Sequence, residues 1–424
     1  MSTFFEKAAA LDKNDELAHF KNHFENDPEM IYLDGNSLGK LPLKTIETSA
    51  NIVKNQWGKR LIRSWNENWM NLSSDIAKKI AQIVGAQPDE IFVGDTTSIN
   101  LYKLLFASLS LQKEKTDIIT DDLNFPSDLY IIQGLIEQQF KNHSLKILKS
   151  EQEVFMDTQK INAAINTNTA LVTLSLVSYK SSFLYDMEAI NKIVHKNKSL
   201  IIWDISHAAG ATTIQLNKTN ADMAVGCTYK YLNGGPGSPA FLYVRKDLQE
   251  KLNNPIWSWF AHQNPFDFNT NFVPDTGIQK FAISTPSILS LGAIVPGLDL
   301  LLEAGIENIQ TKSNQQSAFL IALIQHYLVP LGFELVSPLN EKQRGSHISI
   351  KHPESYRINL AMINPVNKNE KLVIPDFRPP NFIRIGITPL YTSYLDLYEA
   401  VVRISEITKT KEYETFSTKR LKVT

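Results

Sequence analysis

The chain of 424 residues contains a single cysteine, Cys227, which excludes an intrachain disulfide framework and a cysteine-based metal site. The formal net charge is −1, so there is no excess of basic residues to favour nucleic-acid or membrane-surface binding. The longest apolar stretch, residues 288–302, is interrupted by Pro296 and is too short to cross a bilayer. We expect this stretch to form a buried helix pair. The N-terminal residues carry charge too early for a signal peptide, and these absences together favour a cytoplasmic protein with no membrane or nucleic-acid partner.

The chain does contain a regular alternation of short β-rich runs with helical stretches between about residues 90 and 245. Near-continuous apolar strands separated by helices indicate a mostly parallel sheet that is covered on both faces. We therefore predict an α/β domain over residues 51–305 with a seven-stranded sheet. The seven runs lie at residues 91–93, 117–119, 145–148, 170–174, 200–203, 223–225 and 241–244.

The pattern changes after about residue 305. A long helix is predicted near residues 309–328, followed by strands near 333–336, 347–350 and 382–385 and a final helix near 394–407. Segregated strands and helices favour a smaller α+β domain, which we place at residues 306–424.

Two residues at predicted strand ends indicate a specific chemistry. Asp204 ends the run at 200–203, and Lys230 stands before the glycine-rich turn Asn233-Gly234-Gly235-Pro236-Gly237. A lysine amine forms a Schiff base with the aldehyde of pyridoxal 5'-phosphate, and an aspartate holds the pyridine nitrogen protonated so that the ring accepts electrons. The same residues also fit a plain helix cap and an ordinary surface lysine.

The end of the first predicted strand of the sheet provides candidates for binding the cofactor phosphate. Residues 95–98 follow a strand and open a helix, which produces either an anion site or a simple N-cap. Ligands in open α/β sheets bind beyond the carboxyl ends of the strands, where all of these residues fall.

Several motifs resemble the kynureninase family, fold-type I pyridoxal-phosphate enzymes of the class V aminotransferase group. They extend over nearly the whole chain in the order of the family. The motifs are Tyr32-Leu33-Asp34-Gly35-Asn36-Ser37-Leu38-Gly39, Phe125-Pro126-Ser127-Asp128, the Asp204/His207 and Tyr229/Lys230 segments, Trp259-Phe260-Ala261-His262, and Arg384 followed by Thr388-Pro389-Leu390-Tyr391. The resemblance implies that residues 1–50 join the small domain.

The resemblance also implies a role for each matched residue. Lys230, Tyr229 and Asp204 are expected to be catalytic, and Arg384 is expected to bind the substrate α-carboxylate. Trp259 and Thr285 match positions that reach the cofactor of the neighbouring subunit, which implies a homodimer with shared sites. The expected cofactor contacts are Thr97, Ser98, Phe125, Asp128, Ser175, Asp204, His207, Tyr229, Lys230, Trp259 and Thr285, and the expected substrate contacts are Arg384, Trp57, Asn36 and Ser37.

The implied reaction is hydrolysis of L-kynurenine, and of 3-hydroxykynurenine, to an anthranilate and L-alanine in tryptophan breakdown or NAD synthesis. An aminotransferase would use the same Lys230, Asp204 and Arg384. A cysteine desulfurase needs a nucleophilic cysteine on a mobile loop, whereas Cys227 is predicted to lie at a strand end. A catalytically inactive regulator on the same fold would not need this set of residues. Departures from the family pattern occur at Tyr179-Lys180-Ser181-Ser182 and at Trp57, where animal members carry a histidine.

Overall fold

The computed structural model describes residues 3–367 and 370–420. The strands are β1 (Met30–Tyr32), β2 (Ile91–Val93), β3 (Asp117–Asp121), β4 (Ser144–Leu148), β5 (Thr169–Ser175), β6 (Leu200–Asp204), β7 (Met223–Gly226), β8 (Phe241–Val244), β9 (Glu334–Leu335), β10 (His347–Lys351), β11 (Leu372–Ile374), β12 (Asp376–Arg378) and β13 (Phe382–Gly386). The α-helices are α1 (Phe4–Lys13), α2 (Leu43–Asn51), α3 (Met70–Val84), α4 (Thr97–Leu111), α5 (Pro126–Gln138), α6 (Thr158–Ala164), α7 (Met187–Lys196), α8 (Lys246–Gln249), α9 (Ile288–Ala304), α10 (Ile306–Tyr327), α11 (Ser355–Ile363) and α12 (Tyr394–Thr410).

The large sheet has seven strands in the order β2-β8-β7-β6-β5-β3-β4. Only β8 runs antiparallel to its neighbours, so the prediction of a mostly parallel seven-stranded sheet is confirmed. Successive residues of β6 enter different cores: Ile201 and Trp203 pack on one face, whereas Leu200 and Ile202 pack on the other. A strand that is buried on both faces must be apolar at every position, which is why these runs are continuous in the sequence.

The apolar stretch after residue 287 forms one helix, α9, so the expectation of a helix pair within it is wrong. Pro296 lies inside α9, and the helix continues past it. The cost of the missing backbone hydrogen bond is offset by the apolar packing of α9, which buries Leu291, Ile294 and Leu298. In the described residues no single helix is long and apolar enough to cross a membrane, and α9 and α10 pass that test only when joined across an 80° bend.

The C-terminal part contains a four-stranded antiparallel sheet in the order β12-β13-β10-β9. Helices α10 and α12 cover this sheet, and α1 packs against α12. The strand β1 pairs in parallel with β11, so the first residues of the chain share the small-domain core, whereas α2 lies against α9. We propose residues 51–305 and 306–424 as the two domains, with residues 1–50 packing on both.

The turn after β1 fastens the N-terminal segment to the loop that carries Lys230. The backbone N–H of Gly39 donates to the carbonyl oxygen of Tyr229 at 2.8 Å. A Cβ atom at position 39 would overlap the carbonyl oxygen of Lys230 and the side chain of Asn233. Only glycine therefore permits this close approach of the two backbones.

We predict that Gly39→Ala destabilises the protein, because the new methyl group meets backbone that cannot move without shifting the Lys230 loop. The expected loss is about 1–3 kcal/mol, the usual cost of overpacking a tight contact. Gly134→Ala is the matched control, since a Cβ atom there meets nothing within 4 Å and alanine is favoured in a helix by about 1 kcal/mol. Denaturant unfolding of both variants measures the difference, and equal shifts would contradict this account.

Candidate active site

A cavity of about 330 Å³ lies at the carboxyl ends of the central strands, where the small domain meets the large sheet. Its volume is in the range of small-molecule sites. It brings together most of the predicted residues and adds Ser127, Ser206 and Arg378. The residues that line it are Asn36, Ser37, Thr97, Ser98, Phe125, Ser127, Asp128, Asp204, Ser206, His207, Tyr229, Lys230, Arg378 and Arg384.

Lys230 lies in the loop that follows β7, and its amine faces a histidine and an aromatic ring. The Nζ atom is 3.3 Å from Nε2 of His207 and 5.9 Å from the ring centroid of Phe125. Burial, and then the positive charge of Lys230, hold the pKa of His207 well below its usual value. A neutral imidazole therefore stands beside the lysine amine at neutral pH.

Two buried acids face the same cavity. Asp204 ends β6, and its Oδ1 accepts the backbone N–H of Ser206 at 2.7 Å. Asp128 lies in the first turn of α5, and its Oδ2 is buried with no hydrogen-bond partner among the described residues. Burial, and then the nearby charge of Asp204, raise the pKa of Asp128 well above its usual value, although Lys230 opposes the shift. A bound group that carries a positive charge or an N–H donor would therefore stabilise the Asp128 and Asp204 carboxyls.

The N-terminus of α4 forms another wall of the cavity. Thr96 caps the helix by accepting the N–H of Ile99, so the backbone N–H groups of Thr97 and Ser98 lie in the first turn, where no intrahelical acceptor exists. The hydroxyl of Ser98 is 3.3 Å from that of Ser127. Free N–H groups and hydroxyls at a helix N-terminus favour the binding of a phosphate group.

Asn124 is a positioning residue that the sequence did not reveal. Its Oδ1 accepts the hydroxyl of Ser175 at 2.6 Å and the backbone N–H of Phe125 at 3.0 Å. Ser175, which we expected to contact the cofactor, lies at the end of β5 outside the cavity lining and supports Phe125 through Asn124.

Tyr229 lines the cavity next to Lys230 in the chain. Burial raises the pKa of Tyr229, so its hydroxyl keeps its proton at neutral pH.

The far end of the cavity is made by β12, β13 and the Asn36-Ser37 turn. Arg384 is 1% exposed, donates to the hydroxyl of Ser37 at 2.9 Å and to the carbonyl oxygen of Tyr179 at 2.6 Å, and pairs with Asp376. Burial lowers the pKa of Arg384 to about 10, so the guanidinium remains charged at neutral pH. The amide of Asn36 is fully buried and has no partner among the described residues.

Besides Ser175, three predicted residues lie outside this cavity in a single copy of the chain. Trp57 is 56% exposed on the π-helical segment Ile52–Arg60 and lines a separate apolar cleft with Trp69. Trp259 is 42% exposed, and Thr285 lines a third cavity that borders the loop at Asp95. All three side chains are exposed on the large domain.

A larger cavity of about 760 Å³ lies between α1, α10 and α12. Its most buried charged pair, Lys312 and Asp15, is satisfied by an ion pair of 2.6 Å. In the described chain no cluster of three or more histidine, cysteine, aspartate or glutamate side chains could hold a metal ion. The cavity around Lys230, by contrast, contains unpartnered polar atoms of Asn36 and Asp128.

The fold is shared with pyridoxal-phosphate enzymes of low sequence identity. A cysteine desulfurase from Thermococcus onnurineus NA1 superposes with a TM-score of 0.79 at 17% identity, covering 92% of this chain and 98% of its own. The enzyme C-DES with glycine covalently linked to its PLP cofactor superposes with a TM-score of 0.79 at 14% identity, covering 91% of this chain and 99% of its own. At these identities the similarity shows the fold alone.

Sequence comparison is more specific. The kynureninase of Pseudomonas fluorescens is 37% identical over 409 residues, which cover 95% of both chains. The kynureninase of Burkholderia mallei is 37% identical over 413 residues, which cover 96% of both chains. The model of the kynureninase C-terminal domain matches residues 309–404, which include β10, β12, β13 and Arg384. With a Lys230 cavity built on this fold and near-complete alignment to these relatives, the chain belongs to the kynureninase family.

Proposed function

We propose that this protein hydrolyses L-kynurenine to anthranilate and L-alanine, with pyridoxal 5'-phosphate held in the Lys230 cavity. As a member of the kynureninase family, the chain is a pyridoxal-phosphate-dependent hydrolase that acts on a carbon–carbon bond. The observation that carries the placement is the Lys230 amine, which shares one cavity with two buried carboxyls and a helix N-terminus.

The residues present fit the cofactor. The unpartnered oxygen of Asp128 and the carboxylate of Asp204 would receive the ring nitrogen and its neighbouring polar atoms. Thr97 and Ser98 would bind the phosphate, and the ring of Phe125 would pack on the pyridine. When bound, pyridoxal phosphate supplies an aldehyde that takes the substrate amine and a ring that accepts the electrons of the α carbon.

The protein side chains supply the proton transfers. Lys230 would remove the proton from the α carbon of the substrate and return protons later in the cycle. The neutral imidazole of His207, at 3.3 Å, leaves the amine free of a competing positive neighbour. Tyr229 keeps its hydroxyl proton at neutral pH and is adjacent to Lys230, so it would protonate the carbon that becomes the methyl group of alanine.

The proposed reaction is a hydrolysis that consumes one water molecule for each kynurenine. One water molecule adds to the γ-carbonyl of kynurenine, the Cβ–Cγ bond breaks, and Cγ leaves as the carboxylate of anthranilate. The electron pair of the broken bond stays with Cβ, which takes one proton to complete L-alanine. Arg384 would hold the α-carboxylate during these steps, with Asn36 and Ser37 beside it.

We also propose a homodimer with shared sites. Trp57, Trp259 and Thr285 are outside the Lys230 cavity of their own chain, so they would reach only the cavity of a second copy. An exposed apolar surface surrounds them and would be buried in the dimer. Its large exposed side chains include Val53, Trp57, Leu61, Ile62, Met70, Trp259, Phe266, Phe268 and Leu289. In that arrangement Trp57 would form a wall against the aryl group of the substrate, and Trp259 and Thr285 would approach the cofactor phosphate.

The desulfurase alternative does not fit the single cysteine. Cys227 is buried, and burial raises the pKa of its thiol, so it is neither accessible nor ionised at neutral pH. The free buried thiol also supports a cytoplasmic location, because reduced cysteines persist in that compartment. The family match favours the hydrolase over an aminotransferase.

Lys230→Ala is expected to abolish kynurenine hydrolysis and the covalent link to the cofactor. The measurement is borohydride reduction of the loaded protein, followed by peptide mapping of the fixed cofactor. In the parent protein the label should map to Lys230, and the variant should carry none. A label retained by the variant would show that another lysine holds the cofactor.

Asp204→Asn is expected to lower turnover by several orders of magnitude, because a neutral amide does not hold the ring nitrogen protonated. Asp122→Asn is the control, since Asp122 also follows a strand but lies outside the cavity. Steady-state kinetics of the two variants, with circular dichroism to verify folding, provide the comparison. Turnover of Asp204→Asn within about tenfold of the parent, or about 1.4 kcal/mol of barrier, would exclude the assignment.

Shared sites are tested by combining Lys230→Ala and Trp259→Ala, each expected to impair its own homodimer. When the two variants are co-expressed with different tags and the mixed dimer is purified, one site has both residues intact and about half of the parent turnover should return. When both substitutions are placed in one chain and paired with a parent chain, neither site is intact and activity should stay low. The opposite pattern would show that Trp259 acts within its own chain.

A further inference from the structure

The cavity contains a second arginine whose position differs from that of Arg384. Asp376 and Arg378 stand two residues apart on β12, so both point to the cavity face, whereas Phe377 between them points away. Asp376 is directly opposite Arg384 in the neighbouring strand β13, which places the two arginines diagonally on one face. Strand geometry therefore brings two guanidinium groups to the same end of the cavity.

The two guanidinium groups share their partners. Asp376 pairs with Arg384 and lies 3.0 Å from Nε of Arg378. The hydroxyl oxygen of Ser37 accepts from Arg384 at 2.9 Å and faces Nη2 of Arg378 at 3.4 Å. Two positive charges thus face the one carboxylate of Asp376. The other nearby acid, Asp34, has its pKa raised by burial, and the charges of Arg384 and Arg378 oppose that shift.

The availability of donors differs between the two residues. Arg384 is almost completely buried, and its Nη atoms are already engaged by Ser37, Asp376 and the backbone of Tyr179. The side chain of Arg378 is 37% exposed, and its described contacts are the longer ones. A carboxylate that enters the cavity would find its most accessible N–H donors on Arg378.

We propose that Arg378, together with Arg384, binds the α-carboxylate of the substrate directly. The incoming carboxylate replaces Ser37 and Asp376 as the partner of the Arg378 guanidinium. This inference rests on the proposed function, and it assigns to Arg378 a part in the specificity of the enzyme for α-amino acids. The carboxylate adds a negative charge beside two guanidinium groups that otherwise share the carboxylate of Asp376, and a planar guanidinium can bind it through two parallel hydrogen bonds.

The test uses the holoenzyme and two small ligands that differ only at this group. L-Alanine carries the α-carboxylate, whereas L-alaninamide has the same skeleton with a neutral amide. Their affinities are measured from the change that each causes in the visible absorbance of the bound cofactor. We expect Arg378→Gln to weaken L-alanine binding by about tenfold or more, equivalent to about 1.4 kcal/mol, and L-alaninamide binding by less than about threefold. The KM for kynurenine should rise more than kcat falls.

Arg420→Gln is the matched control. The guanidinium of Arg420 stacks on Phe377, 5.5 Å from the ring centroid, and therefore contacts the same strand on the face away from the cavity. It should leave both affinities unchanged. Arg378→Lys retains the charge and the pairing with Asp376 but loses the planar fork, so it should show the same selective loss in a weaker form. If Arg378→Gln does not fold, the affinities of Arg378→Lys for L-alanine and L-alaninamide provide the test.

If Arg378→Gln weakened the binding of L-alanine and L-alaninamide equally, the proposal would be overturned, because Arg378 would then only support the structure of the site. Unchanged L-alanine binding would overturn it as well. Weaker inhibition by anthranilate with unchanged L-alanine binding would place Arg378 at the aryl end instead. Failure of the proposed function is a separate result: the parent protein would then form no anthranilate from kynurenine, whatever the ratio of the two affinities.

Discussion

Burial of several charged groups in one cavity is the constraint on which the rest of the site depends. Lys230, Asp204, Asp128 and Arg384 all face a space of about 330 Å³, where the two acids and Arg384 are buried and Lys230 is half-buried. Charges in such a place are costly unless they are paired or await a partner. The unpartnered oxygen of Asp128 and the unpartnered amide of Asn36 identify where partners are missing, and these are the places where cofactor and substrate are proposed to bind.

The fold holds these charges at fixed positions by close backbone contacts. The turn at Gly39 lies against the Lys230 loop, and Gly386 of β13 lies against the side chain of Asn36, in both cases without room for a Cβ atom. On α4 of the large domain, the buried amine of Lys103 binds Asp95 at 2.8 Å and the carbonyl oxygen of Phe281 at 2.7 Å. Burial lowers the pKa of Lys103, and the acid beside it opposes that shift. This contact joins the loop before α4 to the segment that leads to Thr285.

The proposed dimer follows from the same geometry. The site in one copy has groups for the cofactor and for the α-carboxylate, but Trp57, expected at the aryl end, and Trp259, expected near the cofactor phosphate, are exposed elsewhere. A second copy would supply them and would bury the exposed apolar surface around them at the same time. Completion of the site and removal of apolar area from water would then be a single event.

Local patterns in the sequence specify the large sheet and place Asp204, Lys230 and the start of α4 at the ends of its strands. Strands buried on both faces must be apolar without interruption, and their carboxyl ends must meet at one edge, so Asp204, Lys230 and the start of α4 could be predicted together. Arg384 and the Asn36-Ser37 turn came from family resemblance, because no local pattern places residues so distant in the chain in one cavity.

Contacts between distant segments bring further side chains into or beside the Lys230 cavity. Arg378 and Asp376 enter the cavity because β12 pairs with β13 in one register, and Asn124 positions Phe125 because β5 brings Ser175 beside it. The continuation of α9 through Pro296 depends on its burial against other helices, which a local pattern of proline and apolar residues does not encode. Local sequence records the period of burial, whereas register and packing are set by contacts between distant segments.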